Sequence, residues 1–86
     1  MPTISTFFGI VIRMYYDDHA PPHFHAYYGD DAASVAIDTL AVLEGRLPRR
    51  ALAMVLEWAA EHRGELKGNW ARAEGHEALE RIAPLS

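Results

Sequence analysis

An 86-residue chain that is half hydrophobic, lacks cysteine and carries a formal charge of −4 can form one small core, burying only about 60% of the surface its unfolded form exposes. Without cysteine there is no disulfide framework and no thiolate zinc site, so a metal would have to be held by imidazole and carboxylate. No apolar run approaches the roughly 20 residues of a membrane span, and a cytoplasmic protein of one domain, residues 1–86, is expected. The small core leaves room for a homo-oligomer to add burial.

The first predicted strand runs from Phe8 to Tyr16, where Ile10, Ile12, Met14 and Tyr16 alternate with Val11, Arg13 and Tyr15. Asp17 to Pro22 forms a loop, because Pro21 and Pro22 lack the amide hydrogens that a ladder requires. A second strand spans His23 to Tyr28 and ends at the turn-forming Gly29-Asp30-Asp31. Ser34 to Asp38 and Ala41 to Glu44 read as a third and a weaker fourth strand.

Pro48 then opens a helical stretch to about Ala73, with Leu52, Val55, Ala59, Leu66, Trp70 and Ala73 on one face and Arg50, Glu57, Glu61 and Arg72 opposite. Gly64 and Gly68 each cost roughly 1 kcal/mol relative to alanine, which predicts a kink or split near residue 64. Leu79 to Leu85 is expected to add a last extended piece to the sheet. The fold expected is α+β: an antiparallel meander of three or four strands packed against a long or kinked C-terminal amphipathic helix.

Five histidines occur in the chain, three of them within Asp17-Asp18-His19-Ala20-Pro21-Pro22-His23-Phe24-His25. His23 and His25, two apart on a strand, project from one face, and the Pro-stiffened loop can fold His19 back beside them, with Asp18 at its entrance. Imidazoles with a carboxylate suit zinc, nickel or iron, and a site with an open position suits metal-assisted hydrolysis. The metal set expected is His19, His23 and His25. His62 lies between Ala59 and Leu66 on the apolar helical arc and would join them if that arc packed on the same sheet face. The plain alternative is that loop histidines bond the loop backbone and His62 simply packs, just as Trp58 and Trp70 are expected to fill core.

Arg46, Arg49 and Arg50 bracket the helix start, where the macrodipole disfavours cations. They read as an anion or partner contact, or as stems covering apolar surface. Residues 1–45 carry −5 and residues 46–86 carry +1, so no strong basic patch marks a general nucleic-acid binder, although a local cluster would still permit one. If the arginines and histidines shared a face, a metal-independent ribonuclease would follow, with imidazoles as acid and base.

The segments Met1-Pro2-Thr3-Ile4-Ser5, Phe7-Phe8-Gly9-Ile10, Met14-Tyr15-Tyr16, His19-Ala20-Pro21-Pro22-His23-Phe24-His25-Ala26, Leu43-Glu44-Gly45, Leu47-Pro48, Leu56-Glu57-Trp58-Ala59 with His62, and Asn69-Trp70 resemble those of the bacterial domain of unknown function 4160 family. The resemblance implies a stand-alone domain encoded beside a second small protein, an arrangement like a toxin–antitoxin or regulatory pair. The family pattern carries Glu or Leu where Gly64 and Gly68 stand here, which implies a looser helix in this chain.

Two classes of function are therefore expected. The first is an interaction module that binds the neighbouring small protein, using the histidine loop and the Arg49/Arg50 end as recognition surfaces. The second is a histidine-dependent enzyme, a hydrolase or nuclease that uses His19, His23, His25 and His62, with zinc or nickel where it is metal-dependent.

Overall fold

The computed structural model describes residues 2–86. Five strands, β1 (Thr3–Phe7), β2 (Ile10–Arg13), β3 (His23–Tyr28), β4 (Asp31–Ala36) and β5 (Val42–Arg46), form one antiparallel sheet in chain order. Two helices follow, α1 (Arg49–Glu61) and α2 (Arg63–Glu74). The α+β class and meander are as expected, but the sheet has five strands rather than three or four, and the helical stretch is split in two near residue 64.

The expected strand from Phe8 runs through a turn. Phe8 and Gly9 have φ of 49° and 81°, the left-handed pair that closes a two-residue hairpin compatible with strand twist. That turn separates β1 from β2, pairing Phe7 with Ile10 and Thr6 with Val11. β4 and β5 also depart from the sequence reading, beginning at Asp31 and ending at Arg46.

Strand alternation divides the sheet. One face presents Ile10, Ile12, Phe24, Ala26, Ala33 and Val35, all buried; the other presents Val11, Arg13, His25 and Tyr27. α1 covers the first face with Ala51, Val55, Trp58 and Ala59, residues spaced to share one helical side. Trp58 is the hub: fully buried, its ring centroid lies 5.4 Å from Phe7 and 5.8 Å from Phe24. Burying an aromatic of this size stabilises by about 1.5–3 kcal/mol.

The helical stretch breaks at His62 (φ −122°, ψ 24°) rather than at Gly64 or Gly68, which both lie within α2. Hydrogen bonds from His62 N–H to the Trp58 and Ala59 carbonyls, and from Leu66 N–H to the His62 carbonyl, hold the junction. The redirected α2 buries Leu66, Asn69, Trp70 and Ala73.

Beyond Gly75 the chain has no regular structure, so the last strand expected over Leu79–Leu85 does not form. The segment is nevertheless fixed. Ile82 N–H donates to the Ile4 carbonyl (2.8 Å), Trp58 Nε1–H to Ala83 (2.8 Å), and Asn69 both donates to the Glu80 carbonyl and accepts from its amide (2.8 and 2.9 Å). No described helix is long and apolar enough to cross a membrane.

Candidate metal centre

Asp17, at φ 60°, turns the chain as it leaves the segment after β2; aspartate tolerates this conformation better than most residues. The turn points the Asp18 carboxylate back toward β3. The His19 amide donates to Asp18 Oδ1 at 3.0 Å. The other oxygen, Oδ2, receives two imidazoles, with His23 Nε2 at 2.9 Å and His25 Nε2 at 3.1 Å. Both rings reach one atom because their residues alternate onto the same side of β3.

His23 is 5% exposed, packed between the rings of His25 (5.0 Å) and Trp70 (5.3 Å). Its Nδ1 lies 2.7 Å from the Pro21 carbonyl oxygen. A carbonyl only accepts, so Nδ1 carries the hydrogen, and in the neutral ring Nε2 presents a lone pair. That lone pair faces a carboxylate oxygen. The contact is attractive only if Nε2 is also protonated or if a cation is shared between the two atoms.

Burial acts first on Asp18, in the direction of a raised pKa. The His25 hydrogen bond, the His19 amide and positive charge on His23 and His25 outweigh it and hold the carboxyl below its ordinary value. Asp18 is therefore an anion in the fold, and its side chain is only 16% exposed.

Asp18, His23 and His25 each bring one ligand atom within 4.8 Å of the others. Two ligands at about 2.0–2.1 Å from one ion stand about 2.9 Å apart at right angles and about 3.4 Å apart at the tetrahedral angle. The observed 2.9 and 3.1 Å fall in that range. A second-sphere bond such as Nδ1–H to Pro21 is what orients a ligating imidazole. The donor set thus fits a two-histidine, one-carboxylate centre for zinc, nickel or iron.

Two residues of the candidate cluster lie outside this group of three. His19 is solvent-exposed (side chain 88%), with Nδ1 3.3 Å from Asp18 Oδ1, and stands outside the triad. His62 lies elsewhere, bonded through Nδ1 to Glu65 at 2.5 Å and set against Trp58. It could not join, because the arc it continues packs on the Phe24 face while His25 faces away. Arg46, Arg49 and Arg50 are exposed and bring no guanidinium to the triad. Arg46 lies on β5, two strands from β3 or roughly 10 Å, and the register from Tyr27 through Ala32 puts it on the side of the sheet that His25 occupies.

Other neighbours carried weaker sequence signals. Arg13 pairs with His25 across β2 and β3, and its guanidinium lies 5.4 Å over the Tyr27 ring. Tyr15 meets His25 edge-on at 4.7 Å and shares a hydroxyl–hydroxyl bond with Tyr27. Burial, then the bond to and nearness of Tyr15, push the Tyr27 phenol up to about 12, against the lowering effect of Arg13. Strand alternation could have placed Arg13 and Tyr27 beside His25; Trp70, from α2, had no local signal.

Beside the triad opens a cleft of about 320 Å³ lined by Tyr15, Asp17, Asp18, Trp70, Ala73 and Glu74. It lies within the volume range of small-molecule sites and shares Asp18 with the metal set.

No curated protein and no solved structure matches the chain. A family model does match, over residues 9–71, which includes Asp18, His23, His25 and Trp70. The chain belongs to the family described as Domain of unknown function (DUF4160).

Proposed function

We propose that this protein is a metal-dependent hydrolase that binds one divalent transition ion through Asp18 Oδ2, His23 Nε2 and His25 Nε2. The observation that carries this reading is His23, whose Nδ1–H is committed to Pro21 and whose Nε2 meets an ionised carboxylate at 2.9 Å. A cation shared at that point satisfies both atoms. Three protein ligands leave coordination positions for water and substrate, and a bound ion there would supply Lewis-acid polarisation and an acidified water.

The chain's own groups define the rest. Pro21 and Trp70 fix His23, Tyr15 fixes the plane of His25, and the cleft receives the substrate beside Asp18. Protein purified without a histidine tag should take up about one equivalent of zinc, nickel or iron(II), with a rise in melting temperature. Elemental analysis and a thermal shift titration test this. Absence of both uptake and shift for all three ions would remove the proposal.

A further inference from the structure

The two edges of the sheet differ. β1 is accompanied by the C-terminal segment through Ile82 N–H to Ile4 and the Arg81 guanidinium to the Thr3 carbonyl at 3.3 Å. β5 has no such cover among the described residues. All five of its residues are exposed, including Val42 at 39% and Leu43 at 42%, and its outward amides and carbonyls are open to pairing.

The rim of that edge is charged. Arg46 stands at the end of β5, and Arg49 and Arg50 stand in the first turn of α1. All three are exposed, and among the described residues none forms an ion pair. Glu44 is the one acid on β5. A second copy paired antiparallel about a two-fold axis at the middle of β5 would set Glu44 against Glu44 and place the Arg46 ends at opposite extremes, where β5 offers them no acid. Charge therefore selects an unlike partner.

The edge also carries a device against indiscriminate pairing. The register shifts between Ser34 and Val35, where β5 bulges at Leu43. Gly45, at φ 73°, is pressed so closely on Ala32 that a Cβ would lie 2.1 Å from its carbonyl oxygen. Bulges and charges of this kind protect natural edges, and they leave a short, selective docking strand.

We infer that β5 receives an acidic, extended segment of a partner protein as a sixth strand. Main-chain bonds run to the open edge, apolar side chains cover Val42 and Leu43, and carboxylates meet Arg46, Arg49 and Arg50. This site shares no residue with the metal centre and stands whether or not that centre binds a metal.

The probe is a fluorescein-labelled peptide of about twelve residues alternating Glu and Val, about 40 Å when extended, with a Lys/Val counterpart as control. The acidic peptide should bind and shift the amide resonances of Val42 to Arg46, and the Lys peptide should not. The double variant Arg49→Glu/Arg50→Glu should weaken binding at least about tenfold. It places acids where the helix dipole favours them, so circular dichroism should show the fold retained. The inference is overturned by no binding below about 1 mM, by equal affinity for the Lys peptide, by shifts centred on Asp18 to His25, or by size-exclusion evidence that β5 instead joins two copies of the chain.

Discussion

His23 stands with Nε2 2.9 Å from Asp18 Oδ2 while its Nδ1–H donates to the Pro21 carbonyl, so acceptors hold the ring at both ends. His25 reaches the same oxygen from a half-buried position, and its remaining nitrogen has no partner among the described residues. The two histidines therefore make different demands on the fold.

His25→Ala should abolish metal uptake and leave the fold intact, with its melting temperature close to that of the parent protein without metal. His23→Ala should abolish uptake and also destabilise by about 2 kcal/mol or more, since it empties the space against Trp70 and orphans the Pro21 carbonyl. Metal titration and denaturant unfolding of the two variants side by side separate these effects. Equal loss of stability would make His25 structural and count against the centre.

Metal affinity should fall as pH is lowered, because protons compete for the imidazole nitrogens. In Asp18→Asn the neutral amide can still bond one histidine, but the anionic ligand is lost. Its affinity should drop at least about tenfold, equivalent to 1.4 kcal/mol, at every pH where the parent binds. Isothermal titration with zinc at two pH values checks both statements.

Asn69 predicts a second, purely structural sensitivity. It is 1% exposed, and its amide closes a reciprocal pair with the Glu80 backbone, pinning the tail that also receives Trp58. Asn69→Ala should cost about 1–3 kcal/mol and loosen the tail, raising hydrogen exchange at Glu80 and Ile82 while metal uptake persists. Unchanged exchange would show that Ile82 and Trp58 hold the tail unaided.

The parts that could be read from the sequence are those with short-range causes. Two prolines break the chain before β3, and alternation then puts His23 and His25 on one side with Asp18 a few residues away. The Phe8-Gly9 turn has no strong signal because phenylalanine is an unusual residue at positive φ, so the strand read from Phe8 runs through the turn and β1 goes unread. His62 would join the histidines only if its helical arc packed on their side of the sheet, and Phe24 and Ala26 define the covered side instead. Trp70 reaches His23 only because the chain redirects at residue 62; Gly64 signals a break near there but not the direction the second helix takes.

Gly64 tests the cost of a glycine in the first turn of α2. It lies in α2 with a helical φ and nothing within 4 Å of where a Cβ would stand. Gly64→Ala should stabilise the fold by about 0.5–1 kcal/mol through backbone entropy and propensity, seen as a higher denaturant midpoint at unchanged slope. A destabilised variant would mean that the break at His62 needs the freedom of its near neighbour.

Tyr27 gives a prediction at high pH. Its folded pKa, about 12, lies above the ordinary 10.0, first through burial and then through Tyr15. A raised acid is neutral in the fold where the unfolded chain has begun to ionise, so its contribution is complete below about pH 10 and is lost as pH climbs toward about 12. Tyr27→Phe removes this proton linkage. The stability of the variant relative to the parent should be constant up to about pH 9 and shift in favour of the variant by about pH 11. Paired denaturant curves at these values measure the difference directly, and general alkaline unfolding cancels between the two proteins. A relative stability that stays flat to about pH 11 would mean that the Tyr15–Tyr27 bond does not hold the phenol proton in solution, and that Tyr15 is free to leave the edge of His25.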